Sequence, residues 1–343
     1  MNEMTLAPAV TVVFGNLKYD VQLPQVDVTL RLLPGVNSFT AWLPSGVEIS
    51  AVAGEVGVLE LDGGEGAETI ITGKVWGFRR RLMGTEVTVT DGGSELSRFR
   101  PAATYEKQSA KEIIRALAND ANVSVGSLGL DLPLAAYTAH QRRSAAEHIA
   151  ELATLAGAIA YFDSEGELQV AMPSDRPDLA LRYTREILSY DVQELSVSQA
   201  RQIAVGNGSA GSSDAPDALR QSLERLPSDA PDPGIDAVWK PTPLLRTPKT
   251  AVAASQAAEN AIAAGASRIS AHCFLLPALR PGMVIEVQDL PNDLSSGSWL
   301  VTHVTHRLHP DRGGTTHFQG TSTASGGLGG LLGAALSAVG GLL

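Results

Sequence analysis

The sequence predicts a mainly β protein, with two small antiparallel β-barrels and an α+β insertion of helices and a hairpin between them. Three observations carry this. A period-two alternation of apolar and polar residues opens the chain, two helix-start signatures interrupt it after residue 100, and the alternation returns from Ser189. At 343 residues the chain exceeds what one small core holds, since domains run to roughly 100 to 200 residues. The expected divisions are a first barrel over 1–100, the insertion over 101–188, a second barrel over 189–324 with a flexible insertion at 206–266, and a Gly/Leu-rich tail over 325–343.

Composition narrows the function classes. Hydrophobic residues reach 44%, which excludes wholesale disorder, while charged residues reach only 18% against about 25% in ordinary soluble domains. The balance of 26 basic and 37 acidic residues gives −11, which argues against a general nucleic-acid binder and against docking on anionic lipid. A single cysteine, Cys273, forms no internal disulfide, and no Cys/His pair has zinc-finger spacing. Residues 1–10 lack the basic and long apolar regions of a signal peptide.

The first strands follow from Leu17, Tyr19, Val21 and Leu23, then Val26, Val28, Leu30 and Leu32, each alternating with polar residues around Pro24. Further strands are expected at Glu55–Asp62, Thr69–Phe78 and Glu86–Thr90, separated by turns at Gly63, Gly64, Gly66, Gly92 and Gly93. Helix begins where Ser109 precedes Glu112 by three residues, a capping-box spacing, with Ile113, Ile114, Leu117, Ala118 and Ala121 forming an apolar stripe. Ser144 and Glu147 repeat the spacing ahead of Ile149, Leu152, Ala153 and Ala156, and Gly157 stops that helix. Two short strands around Asp163-Ser164-Glu165-Gly166 read as a hairpin.

Strands resume at Val192–Ser198 and Gln202–Val205. Residues 206–233, rich in Gly, Ser, Asp and Pro, read as an exposed segment. An Ala-rich helix is expected at Lys249–Ala264, then strands at Ile269–Leu276, Met283–Gln288, Trp299–Leu308 and Thr315–Gln319. Residues 325–343 contain only Gly, Ala, Leu, Val and Ser, and seven glycines, each costing about 1 kcal/mol relative to Ala in a helix, weaken a membrane-spanning reading.

No motif supplies convincing chemistry. Gly206-Asn207-Gly208-Ser209-Ala210-Gly211 matches a dinucleotide fingerprint, but an acidic, Pro-interrupted loop follows where a helix must open, so a loop is expected and no cofactor. His303, His306 and His309 cannot converge on a metal from a strand, because alternation turns His306 to the opposite face; solvated or interface histidines are expected. No catalytic motif of the zincin or nucleophile-elbow kind occurs, and Cys273 reads as a core thiol. The run Arg79-Arg80-Arg81 splits between two strand faces and fits a charged edge as well as a subunit contact.

In order, these pieces resemble the late-control D family of contractile phage tails, the baseplate hub proteins, whose fold is shared by the N-terminal part of type VI secretion VgrG spikes. The resemblance rests on Tyr105 to Ala118, the helix Ser144–Ala156, the hairpin through Tyr161-Phe162 and Glu167 to Val170, and the closing segments Leu279 to Ile285 and Gly297 to His306. It spans about residues 10 to 320; the acidic, Pro-rich segment and the Gly/Leu tail depart from it.

The resemblance implies a non-enzymatic homotrimeric ring of tail-tube-like barrels that adapts a sixfold tail tube to a threefold spike. Implied partners are a tube or tube-initiator protein, a trimeric spike, baseplate wedge proteins and a tape measure protein in the lumen, with no sequence-specific nucleic-acid binding. The implied location is a virion baseplate or extracellular injection particle assembled in the bacterial cytoplasm. Three copies triple the −11, so acidic residues are expected to line the channel and repel DNA, with Glu55, Glu60, Asp62, Glu65 and Glu68 as candidates. Two alternatives from other classes are a tail-borne cell-wall hydrolase, testable by zymography, and a β-sandwich carbohydrate-binding adhesin, testable on glycan arrays.

Overall fold

Alternating apolar residues dictate most of the architecture seen in the computed structural model, which describes residues 8–20, 23, 25–49, 51–194, 201–206, 237–242, 244–245, 248–291, 297–309 and 313–323. The first half carries seven strands: β1 (Ala9–Phe14), β2 (Leu17–Tyr19), β3 (Gln25–Arg31), β4 (Ser38–Pro44), β5 (Val56–Asp62), β6 (Ala67–Arg81) and β7 (Gly84–Thr90). Each alternates: in β3, Val26, Val28 and Leu30 are buried while Gln25, Asp27, Thr29 and Arg31 face outward. The short helix α1 (Gly93–Arg98) follows.

A second layer comes next, made of β8 (Ala103–Ser109), α2 (Ala110–Asp120), β9 (Val125–Leu128), β10 (Pro133–Ala139), α3 (Ala145–Leu155), β11 (Ile159–Phe162) and β12 (Leu168–Ala171). Both predicted capping boxes form. The Ser109 and Ser144 hydroxyls accept from the Glu112 and Glu147 amides, while each glutamate accepts from its serine's backbone N–H at 2.7 Å. At the end of α3, Gly157 takes φ +74°, and the Ala158 amide reaches back to the Ala153 carbonyl, so the glycine supplies the left-handed turn that terminates the helix. The apolar stripe Ile113, Ile114, Leu117, Ala118 and Ala121 is buried with Ile149, Leu152, Tyr137 and Phe162 in a core of its own.

The second half comprises β13 (Leu179–Arg182), β14 (Ile187–Glu194), a parallel pair β15 (Arg201–Gly206) and β16 (Ala237–Thr242), helix α4 (Pro248–Gly265), β17 (Ser267–Phe274), β18 (Val284–Gln288), β19 (Gly297–His309) and β20 (Gly313–Ser322). The helix expected at Lys249–Ala264 lies within α4. Residues 207–236, with most of the glycine-rich motif, and 324–343, with the Gly/Leu tail, lie outside the described residues.

Among the described residues neither half closes into a barrel of its own. The strands of the two halves form one 13-stranded sheet in the order β14-β17-β20-β19-β3-β4-β7-β6-β5-β1-β2, with β18 also pairing β19 and β13 pairing β18. The join is an antiparallel ladder between β3 and β19, in which Leu30, Val28 and Val26 lie opposite Val304, His306 and Leu308 on the inner face. Outward, His303, Thr305 and Arg307 lie opposite Arg31, Thr29 and Asp27. Each half alone would leave one of these strands with an open row of N–H and C=O groups, and pairing them satisfies both. The long strand β19 serves both sides, using Gly297–Leu300 against β18 and His303–Leu308 against β3. One hydrophobic core follows from one sheet: Phe14, Phe39, Leu59 and Leu61 of the first half pack with Trp299, Phe318 and Ile285 of the second. The strand order ends at β14 and β2, and among the described residues no pairing joins those ends into a closed barrel.

Candidate functional site

The acidic candidates lie along β5 and the hairpin that follows it. Alternation on β5 buries Leu59 and Leu61 and leaves Glu60 and Asp62 half-buried on the outer face. Asp62 folds the turn: one carboxylate oxygen accepts from the Gly64 amide at 2.7 Å and the Gly66 amide at 3.1 Å. Glu65 and Glu68 are exposed on the hairpin. Glu55 precedes β5, where its carboxylate accepts from the Val52 amide at 2.9 Å. At about 3.3 Å per residue, seven residues of strand separate Glu55 from Asp62 by roughly 23 Å. The structure therefore gathers Glu60, Asp62, Glu65 and Glu68 toward one end of β5 and leaves Glu55 at the other.

This hairpin is held to the second half of the chain. The Arg280 guanidinium donates to the Ile70 carbonyl at 2.8 Å and to the Thr69 carbonyl. Ile70 is the extra residue of a bulge, since Leu59 faces Ile71 and Glu60 faces Thr69, so its carbonyl lacks a ladder partner in β5. Burial lowers the Arg280 pKa, while the Glu68 and Asp163 carboxylates favour its charged form. Sequence reasoning placed Arg280 in a closing segment without a role. Its only signal is a lone arginine between apolar Leu279 and a Pro-Gly turn.

A second buried polar joint lies where β7 passes into α1. Asp91 accepts from the Gly93 amide at 2.9 Å and the Asn37 amide at 3.3 Å, and Asn37 in turn accepts from the Arg31 amide at 2.7 Å. Burial raises the Asp91 pKa to about 7, partly offset by those hydrogen bonds. In the helical layer the Tyr137 hydroxyl meets His148 Nδ1 at 2.6 Å, and Arg143 pairs with Glu151 at 2.9 Å.

The histidine series separates as alternation requires, with one correction. His306 is not solvated; it is fully buried, with Nδ1 2.9 Å from the Thr316 hydroxyl. Burial and the nearby Arg280 charge push its pKa down to about 3, so it is a neutral core group. Among the described residues no cluster of His, Cys, Asp or Glu has the arrangement of a metal site. Cys273 is fully buried, and desolvation drives its thiol up to about 12. Arg79 and Arg81 share a face and both reach Glu86 on β7, at 3.8 and 2.8 Å. Beyond them the β6–β7 hairpin tip carries Leu82, 92% exposed, and Met83, 67% exposed. A large apolar tip on a net-polar strand pair is a feature of contact surfaces.

The outer face of the joined sheet is broad, polar and hydroxyl-rich. Thr29, Thr40, Thr88 and Thr305 lie on neighbouring strands there, with Thr40 and Thr88 hydroxyls 3.2 Å apart. Among the described residues this face offers hydrogen-bonding groups over several strands, and a half-open cleft of about 420 Å³ lies on it between Asp27, Thr40, Glu86 and the Leu82–Met83 tip.

No protein-family model and no curated protein sequence matches the chain. Solved structures do. A 43 kDa tail protein of prophage MuSo2 from Shewanella oneidensis aligns with TM-score 0.67 at 13% identity, covering 93% of this chain and 99% of that one. A tail protein from Neisseria meningitidis MC58 aligns with TM-score 0.67 at 14% identity, covering 93% and 97%. The E. coli c3393 protein, a type VI secretion component with structural similarity to the T4 bacteriophage tail proteins gp27 and gp5, aligns with TM-score 0.61 at 12% identity, covering 92% and 77%. The described chain, from the first sheet strands through the helical layer to the closing strands, thus has the fold of phage tail and type VI secretion proteins.

Proposed function

We propose that this chain is a non-enzymatic structural protein of the baseplate of a phage tail or related injection machine, and that it acts there as the hub. The observation that carries the reading is end-to-end agreement of fold with tail proteins whose own chains are covered almost completely. A match confined to one half would fit many β proteins; agreement through both halves and the intervening helical layer does not.

In this reading three copies form a ring that adapts a sixfold tube to a threefold spike, as in late-control D hubs. The outer face of the 13-stranded sheet supports a channel wall because it is polar and spans both halves. Glu60, Asp62, Glu65 and Glu68 then sit toward one rim and Glu55 toward the other, where they repel anionic cargo. The Leu82–Met83 tip supports a contact with a neighbouring copy or with a tube, spike, wedge or tape measure protein, since burial of that tip would stabilise assembly.

Co-expression with the tube and spike proteins of the same machine tests this. Three copies of the chain recovered per spike trimer support the hub; failure to co-purify with either partner rejects it.

A further inference from the structure

A second charged feature lies on the outer face, opposite in sign to the β5–β6 hairpin. His272 on β17 lies directly across from His317 on β20, with ring centroids 4.5 Å apart and planes inclined by 38°. One row along, His303 on β19 lies across from Arg31 on β3, and Arg307 stands two residues beyond Thr305, the partner of His317. Five protonatable or cationic groups thus share one face of four adjacent strands.

Little acid compensates them. On β3, Asp27 lies 3.5 Å from Arg307 Nε; on β14, Asp191 lies one row away opposite Ser270. Among the described residues of β17, β20, β19 and β3, the remaining titratable groups on this face are Arg268 and His309, two residues beyond Ser270 and Arg307; on the strands beside them, Glu286 of β18 lies opposite Ser298 and Glu86 of β7 opposite Trp42. Burial lowers the pKa of His317, and His272, His303 and Arg307 depress it further; burial and Arg31 do the same to His303. Groups depressed by neighbouring charge in this way carry unspent positive potential once protonated.

We propose that this strip is a binding surface for the phosphodiester backbone of nucleic acid. Guanidinium and imidazolium groups flanked by hydroxyl and amide donors, here Ser270, Thr305 and Gln319, are the side chains that hold phosphates without reading sequence. Phe274 is the one aromatic ring on this part of the face among the described residues, so stacking on bases contributes little. The net charge of −11 opposes binding at neutral pH. Phosphate favours the charged imidazole, so affinity rises as pH falls through the histidine range. In the hub reading the strip shares the channel-facing side with the acidic hairpin, so anionic cargo is held at the histidines and repelled at the acidic rim; the binding test reads the chain alone, so its failure leaves the hub reading standing.

The test is fluorescence anisotropy of the full chain with a labelled oligothymidylate of about 20 nucleotides, at about pH 8 and about pH 5.5 in roughly 50 mM salt. Binding is expected to tighten at least about tenfold at the lower pH, and log K against log salt to steepen by about 0.7 for each additional phosphate neutralised. The double variant H272Q/H317Q should lose the tenfold tightening, and Arg31→Gln should weaken binding at both pH values. Circular dichroism checks that each protein remains folded at both. Absence of binding at the lower pH, pH-independent binding, or full tightening in H272Q/H317Q overturns the proposal. Oligoglutamate binding as tightly as the oligonucleotide would assign the strip to an acidic protein and overturn it as well.

Discussion

Replacing Arg280 by methionine should loosen the attachment of the β5–β6 hairpin to the second half of the chain. The methionine keeps most of the apolar stem but removes the donors to the Ile70 and Thr69 carbonyls, and it leaves the bulge carbonyl without a partner. Hydrogen bonds from a charged donor contribute about 1.5 to 3 kcal/mol each, and a buried carbonyl left unsatisfied costs about 1 to 3 kcal/mol. Relief of the cost of burying the guanidinium offsets part of this. The net loss is therefore about 2 to 4 kcal/mol, a large share of the roughly 5 to 15 kcal/mol that holds an ordinary domain. Urea unfolding followed by tryptophan fluorescence reads it directly, because buried Trp299 lies in the shared core. The transition midpoint should fall in Arg280→Met and recover only partly in Arg280→Lys, whose point charge matches two carbonyls less well than a planar fork. A change below about 0.5 kcal/mol, within the range of ordinary surface substitutions, would refute the reasoning.

Other expectations follow from named groups. Asp91, with its pKa raised from 3.8 to about 7, withdraws stability as pH rises, by about 2 to 3 kcal/mol between about pH 5 and pH 8; Asp91→Asn should flatten that slope in urea titrations at several pH values. His306 acts in the opposite direction: lowered from 6.5 to about 3, it withdraws stability as pH falls below its unfolded value, and His306→Gln should soften acid unfolding. Ser109→Ala and Ser144→Ala should each cost about 1 kcal/mol through loss of a helix cap, measurable by thermal melts. Lysine at Glu60, Asp62, Glu65 and Glu68 together should slow cargo ejection from an assembled tail; unchanged ejection would remove the acidic-rim idea.

Local signals were the legible part of this fold. The Ser109/Glu112 and Ser144/Glu147 spacings, the stripe from Ile113 to Ala121 and the Gly157 stop each depend on residues within a few positions of one another, and each formed as read. The alternation of Val26, Val28 and Leu30 likewise placed β3 and its buried face. Strands β1, β4, β8, β9, β10, β13 and β16 went unread, although Phe39, Ala41 and Leu43 of β4 alternate as plainly as their neighbours.

The join between β3 and β19 could not be read at all, because it pairs residues about 270 positions apart and either strand alone looks like a barrel edge. The same limit applied to charge. Glu55 is close to Glu60 in sequence and far along the strand, whereas Arg280 and Glu68 interact across the fold. His272, His303 and His317 form no sequence motif, and only the registers of β17, β20 and β19 assemble them.

Electron cryomicroscopy of the purified chain, with a solution mass, tests the hub reading most directly. The account predicts a threefold ring with a mass three times 35.9 kDa and the polar outer face of the 13-stranded sheet turned toward a central hole. A ring that buries Thr29, Thr40 and Thr305 between subunits and turns other surfaces to its hole would contradict it.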